Sequence, residues 1–232
     1  MKLSIIIPLY NESKTIVKLI QAIEQQEFIQ KQIIVVNDCS LDNSYEIVKK
    51  IHFKSEHKLL HHNKNKGKGA CIKTAKKFVT GDIVIIQDAD LEYDPKDYKN
   101  LITPIIENKV NVVYGSRVLG QQRYKNKNFT SVIRVFFNHF LTILSNIINN
   151  QKLTDAHTCY KVFKSNIFKD INLNEKGFAF CPEVTTKLSN MKYKITEIPI
   201  SYNGRTYGEG KKITSFDGIV ALYCLIKYKL IN

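Results

Sequence analysis

The stretch Asp82-Ile83-Val84-Ile85-Ile86-Gln87-Asp88-Ala89-Asp90-Leu91-Glu92 decides how the chain folds. Ile83 to Ile86 is a run of β-branched and apolar residues, the pattern of a strand covered on both faces. It breaks off at Gln87, and the carboxylates of Asp88 and Asp90 follow. In extended backbone, residues two apart project to the same side, so both side chains would aim at one point beyond the strand. Two hard oxygens at that spacing suit Mg²⁺ or Mn²⁺, which keep several waters and share phosphate oxygens with the protein. A solvated acidic turn is the other reading of the same residues.

Toward the N-terminus, Leu3 to Ile7 is a second apolar run, ended by Pro8 and a turn at Tyr10-Asn11-Glu12. A helix follows with Ile16, Leu19, Ile20 and Ile23 on one face. Gln32 to Val36 reads as the next strand and ends in Asn37-Asp38-Cys39-Ser40, residues that favour turns and caps. Lys58 to His61 can form a short strand. The polar loop Asn63-Lys64-Asn65-Lys66-Gly67-Lys68-Gly69 then leads into a helix over 70–79, where glycines and a helix N-terminus can approach phosphates. Beyond the central stretch, Asp94-Pro95 opens a helix with Leu101, Ile102, Ile105 and Ile106 on its apolar face. Val110 to Tyr114 is a further strand, ending at Gly115-Ser116-Arg117. Alternating strands and helices predict a parallel α/β sheet, and in such sheets ligands sit beyond the carboxyl ends of the strands. Asn11, Glu12, Asp38, Asp88, Asp90 and Arg117 all fall at those ends.

The second half changes character. Residues 120–128 are polar. Phe129 to Ile148 reads as a long amphipathic helix in which Arg134, Asn138, Thr142, Ser145 and Asn149 recur at helical spacing. Phe136, Phe137, Phe140, Leu141, Leu144, Ile147 and Ile148 make up its apolar face, which would either pack on the sheet or lie on a membrane. Thr154 to Lys161 precedes a short apolar segment, and Phe178 to Glu183 opens another helix. Ile195 to Ile200 is a strand that Pro199 confines to a sheet edge. A basic, glycine-interrupted loop, 202–212, precedes a last helix, 216–228.

Composition narrows the partners. The 232 residues carry a formal charge of +14, with 44% hydrophobic and 24% charged residues. Nearly all the positive charge is lysine spread along the chain, and no nucleic-acid motif appears, which argues against a nucleic-acid binder. The four arginines, Arg117, Arg123, Arg134 and Arg205, are more informative, because guanidinium grips anions in a bidentate way. The five cysteines are odd in number and none forms Cys-x-x-Cys, so neither a disulfide framework nor a zinc site is indicated. A reduced, cytoplasmic compartment is expected, with contact at the inner face of the membrane if the amphipathic helix lies there. No signal peptide and no uninterrupted membrane-spanning run is apparent.

Taken together, Ile5-Ile-Ile-Pro-Leu-Tyr-Asn-Glu12, Ile33-Ile-Val-Val-Asn-Asp-Cys-Ser40, Asn65-Lys-Gly-Lys-Gly-Ala70, Gly81-Asp82 with Asp88-Ala-Asp-Leu91, Gly115-Ser-Arg117, and Glu197-Ile-Pro-Ile-Ser-Tyr202 through Arg205 to Lys211 resemble glycosyltransferase family 2, in its dolichol-phosphate or polyprenyl-phosphate mannosyltransferase-like branch. The resemblance covers nearly the whole chain. It implies a GT-A fold, a Rossmann-like, mostly parallel sheet flanked by helices with a smaller acceptor-side subdomain, in a single domain whose nucleotide-sugar-binding half is 1–117 and whose acceptor half, with amphipathic helices, is 118–232. By the same resemblance Pro8, Tyr10, Asn11, Glu12, Asp38, Lys68 and Ala89 would surround a nucleotide sugar. Asp88 and Asp90 would bind the divalent metal on its diphosphate, and Arg117, Arg205 and Lys211 would contact phosphates. Two departures stand out: Asn37-Asp38 replaces two successive aspartates, and the chain stops at Asn232 where some relatives continue into membrane-spanning helices. The second weakens the expectation of a lipid acceptor.

The implied reaction is inverting transfer of a hexose from GDP-mannose or a UDP-hexose to a polyprenyl or dolichyl phosphate. The alternative is a soluble or polysaccharide hydroxyl acceptor. A phosphate oxygen is already anionic and needs no general base, whereas a hydroxyl needs a carboxylate to take its proton. Asp155 and Glu183 are the candidates for that base. Both are equally readable as cap or salt-bridge residues. His157 and Cys159 lie beside Asp155 but lack the third orienting group of a Cys-His nucleophile pair.

Overall fold

The computed structural model describes residues 1–119, 129–204 and 215–230. The first half alternates as expected: β1 (Lys2–Leu9), α1 (Ile16–Glu24), β2 (Gln30–Asn37), α2 (Ser44–Lys49), β3 (Glu56–His61), α3 (Lys68–Lys76) and β4 (Ile83–Ile86). After a short 3₁₀ turn (Pro95–Asp97) come α4 (Tyr98–Ile106), β5 (Val112–Ser116), α5 (Phe129–Asn149), β6 (Lys161–Lys164), α6 (Ser165–Asp170), α7 (Phe180–Asn190), β7 (Thr196–Pro199) and α8 (Ser215–Leu230). Asp94 caps the 3₁₀ turn by accepting from the Lys96 amide, so the helix read at this point starts with a tighter turn than expected.

These strands form one sheet in the order β3-β2-β1-β4-β6-β5-β7. β1 pairs in parallel with β2 and with β4, so the chain reverses its direction of travel across the sheet at β1. The crevice beyond the strand ends at such a reversal is where open α/β sheets take their ligands. Ile5, Ile6, Ile7, Ile34, Ile85 and Ile86 are fully buried, which is why these runs show no polar alternation. β7 lies at the sheet edge and ends at Pro199, where the missing N–H costs no ladder bond.

The sheet is mostly parallel and flanked by helices, as the resemblance implied; β6 inserts between β4 and β5, antiparallel to both. The sequence left open how α5 lies. Its small polar residues Thr142, Ser145 and Asn149 are buried, and Asn149 donates to Thr186 Oγ1 on α7 at 3.2 Å. Phe136, Phe137, Phe140, Ile143 and Ile147 face outward, 43–73% exposed. Leu141 is buried and Leu144 and Ile148 are half-buried, so the apolar residues of the helix divide between the interior and the outside. The Arg134 side chain lies outside the described residues. α8 repeats the pattern, exposing Ile219, Tyr223, Ile226 and Leu230 on one stripe. Among the described residues no helix is long and apolar enough to cross a membrane.

Because Ile85 is fully buried between β1 and β6, Ile85→Ala is expected to cost about 2–5 kcal/mol, measured by urea unfolding. A loss below about 1 kcal/mol would mean the central strand is not packed on both faces.

Candidate active site

A cavity of about 400 Å³ opens beyond the carboxyl ends of β1, β2, β4 and β5. Pro8, Tyr10, Glu12, Asp38, Lys68, Asp88, Ala89, Asp90 and Arg117 all line it. Nine residues picked from separate stretches of sequence thus meet in one space. Asn11 does not line it. At φ 53° it turns sideways, donating its amide to Ser40 Oγ (3.0 Å) and accepting from the Leu41 amide through Oδ1 (2.8 Å). It ties the end of β1 to the loop after β2 and is not a wall of the site. Arg205 and Lys211 lie outside the described residues.

The turn that carries Asp88 and Asp90 is built on Gln87, which is fully buried. Its side chain accepts from Tyr98 OH and Tyr160 OH, both at 2.7 Å, and donates to the Asp88 carbonyl at 2.9 Å. The backbone then leaves the extended region: Leu91 has φ 62°, costly for a branched-chain residue and typical of functional turns. So Asp88 and Asp90 share the cavity because of a turn, not because of strand alternation. Asp90 Oδ1 accepts from the Glu92 amide at 3.1 Å, and Glu92 accepts from Tyr202 OH at 2.6 Å.

Asp88 Oδ1 lies 2.5 Å from Lys68 Nζ. Burial works to raise the carboxyl pKa, but the Lys68 ammonium more than offsets it and holds Asp88 below the usual carboxylate range. An anionic Asp88 already balanced by a cation, with Asp90 beside it, is a donor set that fits a hard divalent ion. A three-ligand cluster also exists at Asp38, His62 and Cys71, within 4.8 Å, but its atoms are spent. Asp38 accepts from the amides of Lys66 (2.9 Å) and Gly67 (2.7 Å) and pairs with His62 Nδ1 at 2.7 Å; His62 Nε2 bonds Thr74. Burial pushes the Cys71 thiol up, away from the thiolate a metal requires. This network shapes the wall. Asn37, the departure from the family pattern, is likewise internal: its amide meets His61 Nδ1 and its Oδ1 accepts from Ser40 Oγ at 2.6 Å.

The two candidate bases are corrected by their partners. Asp155 is buried behind Arg117: Oδ2 accepts from Arg117 Nε and Oδ1 from Nη2, both at 2.7 Å. Burial opposes ionisation there, yet the guanidinium keeps the carboxyl below its ordinary range, which is the opposite of a poised base. Glu183 is fully buried and accepts from the amides of Asn174 (2.6 Å) and Glu175 (2.9 Å) and from Lys187 Nζ (2.6 Å). It does not line the cavity. His157 and Cys159 do line it, but burial holds His157 at about 4, hence neutral, and pushes the Cys159 thiol far up. They are not a nucleophile pair. Residues the sequence reading passed over also face the cavity, among them Glu92, Tyr93, Asn138, Phe178 and Tyr202. The Arg117 guanidinium stacks 5.2 Å over the Tyr202 ring. Only the family motif around Tyr202 hinted at any of these.

The family model for glycosyl transferase family 2 matches residues 4–172. The chain belongs to that family, and it is a glycosyltransferase. It is 27% identical over 244 residues to UDP-N-acetylglucosamine–dolichyl-phosphate N-acetylglucosaminyltransferase of Methanococcus voltae, covering 97% of this chain and 95% of that protein. It is also 27% identical to dolichol-phosphate mannosyltransferase of Pyrococcus furiosus, over 99% of this chain but 65% of that longer protein. Among solved structures, glucosyl-3-phosphoglycerate synthase of Mycobacterium tuberculosis in complex with Mn²⁺ and UDP-glucose superposes with a TM-score of 0.73 at 14% identity, over 100% of this chain and 80% of that one. That likeness establishes the GT-A fold.

Asp155→Asn leaves the Arg117 guanidinium buried without a counter-charge, and a loss of about 3–5 kcal/mol in chemical denaturation is expected. The sign with pH follows from the depressed carboxyl. Its contribution is fully present above the unfolded value, about 4, and drains away as pH falls through the lower folded value. The mutant's stability should therefore depend less on pH in that acid window than the wild type's.

Proposed function

We propose that the protein transfers a hexose, with inversion, from a nucleotide diphosphate sugar to a polyprenyl phosphate. The observation that carries this is the loss of both candidate bases: Asp155 is locked on Arg117 and Glu183 is sealed in the interior. Of the carboxylates that line the cavity, Asp38 is bound to backbone amides, Asp88 to Lys68, Glu92 to Tyr202 and Glu12 to Thr15, while Asp90, which accepts from the Glu92 amide, is assigned to the metal. An acceptor that arrives as an anion needs none of them as a base. The names of the Methanococcus and Pyrococcus relatives support a dolichyl-phosphate acceptor.

In this reading Pro8, Tyr10, Glu12 and Asp38 form the nucleotide end, and Asp88 and Asp90 hold Mg²⁺ or Mn²⁺. The bound ion would supply charge stabilisation to the departing nucleoside diphosphate. Lys68 and Arg117 bring fixed positive charge to the same space, and Arg205 and Lys211 are assigned to phosphate contact. Because leaving-group charge grows toward the transition state, such preplaced cations favour it over the ground state. The acceptor phosphate oxygen attacks the anomeric carbon as the bond to the diphosphate breaks, so no proton has to move.

The outward apolar face of α5 supports peripheral contact with the membrane that holds the acceptor. Asn138, on the polar stripe of the same helix, lines the cavity, so the helix adjoins the site. Between Glu107 and Asp155 the chain has no acidic residue but carries Lys109, Arg117, Arg123, Lys125, Lys127, Arg134 and Lys152. That composition suits an anionic lipid surface.

The decisive assay pairs GDP-mannose, UDP-glucose and UDP-N-acetylglucosamine with dolichyl phosphate or dolichol in the presence of Mn²⁺. Transfer to the phosphate alone is expected, and equal transfer to dolichol would sink the acceptor assignment. Asp90→Asn is expected to lower kcat by about 10²-fold or more while nucleotide-free thermal stability stays near wild type. Full activity in that variant removes the metal role. Phe137→Ser with Phe140→Ser should reduce co-sedimentation with anionic vesicles and leave transfer to a short-chain, water-soluble prenyl phosphate unchanged. Undiminished vesicle binding refutes the membrane face.

A further inference from the structure

One loop joins the outermost helix to the donor side of the cavity. Residues 172–177 lack regular secondary structure and run between α6 and α7. From the interior, Glu183 holds the loop by the amides of Asn174 and Glu175. From the outside, Glu175 Oε1 accepts from Lys227 Nζ (3.0 Å) and Tyr228 OH (2.6 Å), both in the last turns of α8. Its carboxyl, although penalised by burial, is kept below the ordinary range by these two donors, so it is charged at neutral pH.

The other side of the loop backbone presses on the glycine turn at the start of α3. Lys176 O accepts from the Ala70 amide at 3.0 Å. A Cβ on Gly67, which has φ +90°, would sit 2.5 Å from Lys176 O, and one on Gly69 would overlap Glu175 O. Lys68 lies between those glycines and reaches Asp88 at 2.5 Å. There is no slack between the α8 end and the Lys68 backbone: each contact is a hydrogen bond or a contact too tight for a methyl group.

We propose that Glu175 is a positioning residue, which by clamping loop 172–177 to α8 sets where Lys68 meets the donor diphosphate and makes donor binding depend on the seat of α8. Glu175 does not line the cavity, so it acts only through Lys68. The proposal rests on the donor-site reading above.

Binding of UDP and of GDP, each with Mn²⁺, is measured by calorimetry beside the thermal midpoint. Glu175→Ala is expected to weaken Mn²⁺–nucleotide binding roughly tenfold with little change in midpoint. Glu175→Gln, which still accepts from Tyr228, should recover most of the affinity. In a Lys68→Met background, Glu175→Ala should add no further loss. Unchanged affinity in Glu175→Ala, or an equal additional loss in the Lys68→Met background, overturns the proposal. If Glu175→Ala does not fold, Lys227→Met with Tyr228→Phe makes the same test from the α8 side. A wild type that binds neither nucleotide overturns the donor site itself, and this inference with it.

Discussion

The ion pair between Lys68 and Asp88 is where the two halves of the cavity's chemistry meet. It spans two strand ends: Lys68 opens α3 after β3, and Asp88 follows β4. Holding it at 2.5 Å requires the α3 turn and the β4 turn to be placed independently and rigidly. Glycines 67 and 69 let the first turn lie flat against loop 172–177, and buried Gln87, held by two tyrosine hydroxyls, fixes the second. A buried charge without its partner is expensive, so neither turn can drift without the other. The Asp88 carboxylate and the Lys68 ammonium are thereby held in place by the fold itself, and preorganised charge of this kind is what electrostatic catalysis needs.

Arg117 and Asp155 form a comparable pair beyond the end of β5. Arg117 follows β5 and Asp155 precedes β6, and the antiparallel pairing of those strands brings the two together. Thr154 and Asp155 are in turn held by Glu197 of β7, at 2.6–2.9 Å. The carboxylate is consumed in orienting the guanidinium, and the guanidinium is steadied over Tyr202. Among the described residues that line the cavity, Lys68 and Arg117 are the cations, set beside the carboxylates of Glu12, Asp38, Asp88, Asp90 and Glu92, so the positive charge sits at two fixed points.

Much of the fold and site was legible because it follows local rules. Unbroken apolar runs at Leu3–Ile7 and Ile83–Ile86 marked buried parallel strands, and the polar residues just past them marked the ligand-facing edge. Other features carried no such local signal. Four-residue β6 has too little pattern to reveal that it inserts antiparallel between β4 and β5. Periodicity in α5 marked two faces but not which one is buried; inside, Asn149 donates to Thr186 of α7 and to Ser145, and Thr142 accepts from the Ala156 amide. Asn11, at a strand end among true wall residues, turned out to stitch two loops together.

The strand–helix alternation and the set of charged residues at the carboxyl ends came from sequence pattern alone, because burial and strand termination are imposed by neighbours a few positions away. Which of those charges remain available was settled only by the folded arrangement. Asp155 is 38 residues from Arg117, and Lys68 is 20 from Asp88 (88 − 68), separations at which no periodicity speaks. A carboxylate in a chain looks the same whether it caps a loop, neutralises a guanidinium or faces substrate. Its partner decides, and partners across a sheet exist only once the sheet has formed.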